Sequence, residues 1–320
     1  MPFLHPNRRT LLGGLAVLLT LPRAALSQEQ LNVVATTGMI ADATRQVGGD
    51  RVRVRALMGP GVDPHAYRQT RSDIAAMAGS DLVLWHGLYL EAQLEEFLAD
   101  MTRSRAVVAV ANTLPREVLI AHDDYADRFD PHVWMVPHIW ALVVDAVRDA
   151  LIAADPDGAE TYTANAAVHQ TEIAALAAYA TQTLATVPAA ARVLVTAHDA
   201  FNYFGNAYGF DVVGIQGIST NSEAGVQRIT ELVDMLVSRQ IGAVFVESSV
   251  SDRAMRALIE GAGAQGHEVT IGGTLFSDAM GEDGSYEGTY VGMIDHNVTT
   301  ITRALGGTVA DRGMQGRLAA

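Results

Sequence analysis

The stretch Gly61-Val62-Asp63-Pro64-His65-Ala66-Tyr67 places a histidine in a stiff loop, shortly after a strand-like run over residues 52–57. Proline locks its own φ angle and restricts the residue before it, so the Asp-Pro pair fixes the backbone just ahead of His65. The stretch therefore predicts an imidazole that is held rigidly beyond the end of a β-strand.

The same arrangement occurs once more, as Asp130-Pro131-His132-Val133-Trp134. Two stiff loops of this kind in one lobe predict two histidine ligands that point at the same place. A complete site needs further ligands from the rest of the chain.

Short apolar runs alternate with helical patterns around the first loop. Most of the runs are apolar on both faces, as in a parallel sheet that is covered by helices. Val52-Arg53-Val54-Arg55 alternates instead, which predicts a strand at the edge of the sheet. The predicted strands are 31–37, 52–58, 81–86 and 106–111, and the predicted helices are 40–47, 72–78 and 91–101.

A long helical pattern over residues 159–185 separates this region from a second β-α series. At 1.5 Å per residue such a helix is about 40 Å long, which is enough to connect two lobes. We expect an α/β fold of two lobes, each a roughly four-stranded parallel sheet flanked by helices, joined by one long rigid helix. The expected boundaries are 28–155 for the N-terminal lobe, 156–188 for the connecting helix and 189–320 for the C-terminal lobe.

The second β-α series contains four strand patterns. The spacing from Thr220 to Glu223 is that of a capping box and predicts the start of a long helix there. The predicted strands are 192–197, 212–215, 243–246 and 268–274, and the predicted helices are 200–208, 223–239, 252–263 and 288–305. One more helix, 139–153, is predicted in the N-terminal lobe, before the long helical pattern.

Residues 1–27 have the pattern of a signal peptide. Arg8 and Arg9 precede an apolar run, residues 11–21, and Ala25-Leu26-Ser27 is an acceptable cleavage site. An ordinary secretory signal and a twin-arginine signal both fit this pattern. We expect cleavage near Ser27 and a mature protein in the periplasm, without stable insertion in the membrane.

The composition excludes several classes of function. The 320-residue chain is 49% hydrophobic and has a formal net charge of −14, which is typical of an acidic globular protein. All 22 basic residues are arginine and no basic stripe is present, so nucleic acid is not an expected partner. The absence of cysteine rules out disulfides, thiolate metal sites and a lipid-bearing cysteine.

Four polar residues follow predicted strands, where the sheets of α/β lobes bind ligands. His65, His132, His198 and Asp278 supply three imidazoles and one carboxylate, a complete ligand set for a borderline divalent metal. From their positions alone, His198 also fits the start of a helix and Asp278 also fits a helix N-cap.

Other polar residues near these strand ends are expected to play supporting or structural parts. His86 and Glu247 are expected to lie behind the ligands, with direct metal contact as the alternative. The acidic loop with His122, Asp123 and Asp124 is expected to be solvated, with transient metal capture as the alternative. Four further histidines are expected to be structural: His138, His169, His267 and His296.

The motifs together resemble the metal-specific extracytoplasmic solute-binding proteins of zinc and manganese ABC transporters, the TroA/ZnuA-like family. Their order and spacing hold from about residue 31 to residue 305. Besides the two Asp-Pro-His loops, the segments that carry the resemblance are Trp85-His86-Gly87-Leu88-Tyr89-Leu90-Glu91, Thr196-Ala197-His198-Asp199-Ala200-Phe201-Asn202-Tyr203-Phe204, Gly217-Ile218-Ser219-Thr220 and Leu275-Phe276-Ser277-Asp278.

The resemblance implies a metal buried between two lobes and held by His65, His132, His198 and Asp278. It also implies delivery of one Zn²⁺ or Mn²⁺ ion to a membrane permease that is driven by a cytoplasmic ATPase. We expect the binding protein itself to be a monomer and not an enzyme.

Three positions depart from the family pattern. Trp134-Met135-Val136-Pro137 stands where relatives have Trp-Leu-Asp-Pro, so an acid that supports the second loop is missing. His86 occupies a position that is commonly asparagine. No long histidine-rich loop precedes His132, which weakens an assignment to zinc alone and leaves the choice between zinc and manganese open.

Two other classes of protein are alternatives. A secreted metallohydrolase could use the same three histidines and carboxylate, but its zinc needs an open coordination position and a nearby general base. The sequence has no His-Glu-x-x-His motif, in which two histidines bind zinc and the glutamate acts as the general base. An adhesin-like surface protein is the third class.

Overall fold

The computed structural model describes residues 30–121 and 128–319. The predicted signal segment and the loop residues His122, Asp123 and Asp124 lie outside the described residues. No helix in the described part is both long and apolar enough to cross a bilayer.

The N-terminal lobe is built on four parallel strands in the order β2-β1-β3-β4. The central strands β1 and β3 are apolar and largely buried, whereas Arg53 and Arg55 of β2 point their side chains outward. The prediction of an edge strand at this position is confirmed. The strands are β1 Leu31–Ala35, β2 Val52–Ala56, β3 Leu82–Trp85 and β4 Val107–Ala109, and the helices are α1 Gly38–Gly48, α2 Arg71–Gly79, α3 Glu95–Met101 and α4 Pro137–Ala154.

The connecting helix α5, Ala159–Leu184, is rich in alanine, which has the highest helix propensity. It packs against α1 and α4 in the N-terminal lobe and against the last helix, α9, Tyr290–Ala304, in the C-terminal lobe. One continuous apolar core includes Leu84, Leu176 and Phe245, which come from the first lobe, the connecting helix and the second lobe. The two lobes therefore rest on a shared rigid helix.

The C-terminal lobe has four parallel strands in two hydrogen-bonded pairs, β5-β6 and β7-β8, with β5 lying beside β7. The two-lobed α/β architecture is as predicted, whereas the lobe boundaries at residues 155 and 188 stay a prediction. The strands are β5 Val193–His198, β6 Asp211–Gln216, β7 Ala243–Glu247 and β8 Thr270–Leu275, and the remaining helices are α6 Asn202–Tyr208, α7 Val226–Ser238 and α8 Arg253–Ala264.

The predicted capping box at Thr220 and Glu223 is wrong. Helix α7 begins at Val226, and its N-cap, Gly225, makes no side-chain hydrogen bond. The Thr220 hydroxyl instead donates to Oδ2 of Asp63 in the other lobe, at 2.5 Å. The prediction used only the spacing between neighbouring residues. That spacing cannot indicate a hydrogen bond between residues 157 positions apart.

Candidate metal centre

Each candidate ligand lies beyond or at the carboxyl end of a strand. His65 lies in the loop after β2, His198 is the last residue of β5, and Asp278 follows β8 by three positions. His132 directly precedes a short 3₁₀ turn, Val133–Met135, that leads into α4. Because the carboxyl ends of both sheets face the same cleft, side chains far apart in sequence meet there.

The structure brings all four predicted ligands together. One donor atom from each of His65, His132, His198 and Asp278 lies within 4.8 Å of the others. The Nε2 atom of His132 is 3.3 Å from Nε2 of His65 and 3.3 Å from Oδ1 of Asp278. The Nε2 atom of His198 is 3.1 Å from Oδ2 of Asp278.

The donor set fits a divalent metal. All four side chains are at most 2% exposed, so water does not solvate them freely. Among the described residues, neither Nε2 of His198 nor either oxygen of Asp278 has a partner in hydrogen-bond geometry. Buried polar atoms without partners are costly, and a cation shared by imidazole nitrogens and a carboxylate would satisfy them.

Two carboxylates hold the imidazoles from behind. Oδ1 of Asp130 lies 2.7 Å from Nδ1 of His132 and also accepts the backbone N–H of that histidine at 2.9 Å. Glu247 makes the same pair of contacts to His198, at 2.5 Å to Nδ1 and 3.0 Å to the backbone N. Such carboxylates set the tautomer so that Nε2 faces the metal.

The two Asp-Pro-His loops are therefore not equivalent. Asp130 contacts both the backbone and the ring of its histidine, whereas Oδ1 of Asp63 accepts the backbone N–H of His65 at 2.8 Å. The second oxygen of Asp63 is used by Thr220 across the cleft. Among the described residues, no carboxylate is in ion-pair contact with the His65 ring.

His86 lies outside the group of four donor atoms. Its Nε2 is 2.7 Å from the carbonyl oxygen of Pro131, so it braces the loop that carries His132. Its backbone N–H donates to the fully buried Glu91 at 2.8 Å. Burial lowers the pKa of His86 to about 3, which keeps its ring neutral.

Sequence reasoning missed the part played by Trp134. Its ring packs edge-on against His86 and His132, with centroids 5.0 Å and 5.2 Å away. Its Nε1–H donates to the carbonyl oxygen of Ser277 at 2.8 Å, next to Asp278. The motif contained the residue, but nothing in the sequence indicated a bond to a loop 143 positions away.

The electrostatics of the ligands differ from one side chain to the next. Burial lowers the pKa of His65 to about 3. Burial also lowers the pKa of His132, but Asp130 and Asp278 outweigh it and raise that pKa to about 9. The pKa of His198 is raised well above its usual value because Glu247 and Asp278 outweigh burial in the same way. Burial acts to raise the pKa of Asp278, but His198 and His132 hold it well below its usual value.

Two α/β lobes that share a rigid helix and enclose three imidazoles and a carboxylate define a metal-binding protein of the two-lobed solute-binding class. The family described as "Zinc-uptake complex component A periplasmic" matches residues 33–304. The chain belongs to this family of ABC-transporter solute-binding proteins, so it is not an enzyme, and the hydrolase and adhesin-like alternatives gain no support.

Individual relatives are similar over nearly their whole length. The manganese-binding lipoprotein MntA of Bacillus subtilis is 47% identical over 279 residues, which cover 87% of this chain and 91% of the relative. The zinc-binding protein TroA of Treponema pallidum is 44% identical over 273 residues, covering 85% and 88%. The solved structure of the periplasmic zinc-binding protein TroA from Treponema pallidum superimposes with a TM-score of 0.84 at 43% identity, covering 86% of this chain and 99% of that one.

Proposed function

We propose that this protein captures one divalent transition metal ion, Zn²⁺ or Mn²⁺, outside the cytoplasm and delivers it to an ABC importer. The observation that carries the proposal is the convergence of four buried donor atoms within 4.8 Å. His65, His132, His198 and Asp278 are the proposed ligands. The ion is the cargo of the protein.

The proposal extends to location and partners. We place the mature protein in the periplasm, after cleavage near Ser27, as a monomer that docks on a membrane permease with its cytoplasmic ATPase. The chain contains no cysteine, so the lipid attachment implied by the name of the Bacillus relative is not carried over to it.

The proposed ligand set is suited to both metals. Three neutral imidazoles favour zinc, whereas the two free oxygens of Asp278 offer the bidentate oxygen ligation that suits manganese. The names of the two similar relatives point to manganese for one and zinc for the other. At a nitrogen-rich site zinc binds more tightly than manganese, so supply in the periplasm decides which ion is carried.

Metal analysis of the protein purified from its own periplasm tests the proposal, followed by competition between Zn²⁺ and Mn²⁺. We expect one metal ion per chain. Replacing His65 by alanine should lower metal affinity at least about tenfold, because an inner ligand is lost. His138→Ala is the matched control, since His138 is an exposed residue of α4 and should leave affinity unchanged. Wild-type affinity in His65→Ala would refute the site.

A further inference from the structure

Residues 217–222, here called the cleft-mouth loop, form one wall of a cavity of about 330 Å³ beside the metal centre. His65, Tyr89 and Arg128 of the N-terminal lobe also line this cavity. A second cavity, of about 420 Å³, lies behind the loop and is lined by Asp63 and Thr220. The loop therefore stands between two open spaces, next to one of the proposed ligands.

The cleft-mouth loop has little packing of its own. Its residues are exposed or half-buried, and none of them belongs to an apolar core cluster of the described chain. Inside the loop, Asn221 donates from its backbone and its amide to the Ser219 hydroxyl. A single well-placed hydrogen bond to the other lobe has a large effect on a segment held so loosely.

The Thr220 hydroxyl supplies such a bond. It donates to Oδ2 of Asp63 at 2.5 Å, while Oδ1 of the same carboxylate accepts the backbone N–H of His65 at 2.8 Å. The two bonds form a relay from the C-terminal lobe to the proposed ligand. A hydroxyl bond to a carboxylate is a charge-assisted bond, which is stronger than a neutral one.

His65 depends on these two hydrogen bonds for its position, because the other two ligand histidines have a carboxylate bound directly to the ring. The rings of His132 and His198 are each fixed by a carboxylate, Asp130 or Glu247. In the described part of the chain, His65 contacts the ring of His132 and is fixed by the hydrogen bond that its backbone N–H donates to Oδ1 of Asp63. Thr220 holds this carboxylate from the opposite side of the cleft.

We propose that Thr220 is a positioning residue that controls how fast the metal leaves. By holding Asp63, it keeps the cleft-mouth loop closed over the cavity beside His65 and keeps that ligand loop in place. The inference rests on the proposed metal-binding function. Loss of the hydroxyl loosens the closed, loaded state, so its effect falls on the dissociation rate rather than on association.

The test uses Thr220→Val, which removes the hydroxyl and keeps the shape of the side chain. The mature protein is loaded with Zn²⁺ and mixed with excess chelating dye, and the release of zinc is followed by stopped flow. We expect release to be about tenfold faster than in the wild type, which corresponds to the loss of one charge-assisted hydrogen bond. The association rate and the unfolding temperature of the metal-free protein should not change.

Two variants serve as controls. Thr220→Ser keeps the hydroxyl and should restore slow release. Thr230→Val removes an exposed hydroxyl that bonds only within helix α7, to the carbonyl oxygen of Val226, and should release zinc at the wild-type rate. Release from Thr220→Ser as fast as from Thr220→Val would overturn the role of the hydroxyl.

A double-mutant cycle tests the relay itself. If Thr220 acts through Asp63, the combination Asp63→Asn/Thr220→Val should release zinc no faster than Asp63→Asn alone. Additive effects would overturn the relay. Equal zinc release from wild type and Thr220→Val would refute the role of Thr220 only, whereas failure of the wild type to bind zinc or manganese would refute the proposed function as well.

Discussion

At the scale of single residues, the three imidazoles differ in charge before a metal arrives. His65 stays neutral at any physiological pH because burial lowers its pKa to about 3. His132 carries a proton below a pKa of about 9, and His198 also holds one at neutral pH because its pKa is raised well above its usual value. A metal ion must displace the protons on the two Nε2 atoms, while the Nδ1 protons stay on the imidazoles and are donated to Asp130 and Glu247.

The sign of the pH dependence follows from this exchange. Binding releases protons, so affinity should rise with pH, by about tenfold per pH unit for each proton displaced below the pKa of its group. We expect close to two protons per metal near pH 7, and release of the metal as the pH falls below about 6. Calorimetric titration with Zn²⁺ in buffers of different ionisation enthalpy measures the number of protons directly. An affinity that is constant from about pH 5 to 8 would contradict imidazole ligation.

At the scale of structural elements, the turn Val133–Met135 links the two halves of the metal centre. Trp134 of this turn packs against His132 and donates its indole N–H to Ser277 in the opposite lobe. Trp134→Phe leaves that buried carbonyl oxygen without its donor, which costs about 1–3 kcal/mol. Because Ser277 precedes Asp278, we expect both the free energy of unfolding and the metal affinity to fall.

Trp140 provides a matched control on the next element, helix α4. Like Trp134 it is fully buried, but its Nε1–H has no hydrogen-bond partner among the described residues. Trp140→Phe should therefore lose packing against Tyr290 and leave metal affinity unchanged. Chemical denaturation and a zinc competition assay on both variants separate the two effects. Equal metal affinity in the two variants would show that the bond to Ser277 does not position Asp278.

The elements were largely predictable from the sequence, because local patterns decide them. Apolar runs became strands, of which β3 and β5 are fully buried. The alternating Val-Arg run became an edge strand, and the alanine-rich pattern became helix α5. The four proposed ligands were also predictable, since each follows a strand or repeats the Asp-Pro-His motif. The bonds made by Thr220, Trp134 and Glu247 were harder to predict, because each joins segments that only the tertiary fold brings together.

At the scale of the whole molecule, the lobes are joined too firmly for a wide hinge motion. Helix α5 packs on helices of both lobes, and one apolar core runs through all of them. Tyr290 of helix α9 adds two bonds across the molecule, one from its backbone N–H to Asp42 and one from its hydroxyl to the carbonyl oxygen of Trp134. A rotation of one lobe would have to break these buried contacts together.

We therefore expect binding of the metal to leave the overall shape of the protein unchanged. Small-angle X-ray scattering of the metal-free and zinc-loaded protein should give the same radius of gyration, near the value of about 19 Å for a compact chain of this length. Hydrogen exchange should show equal protection of helix α5 in both states, with a metal-dependent change confined to the cleft-mouth loop and the His65 loop, because these two segments adjoin the metal centre and are joined across the cleft by the bond from Thr220 to Asp63. A clear decrease in the radius of gyration on metal binding would mean that the lobes close about a hinge and that the shared apolar core rearranges when the metal binds.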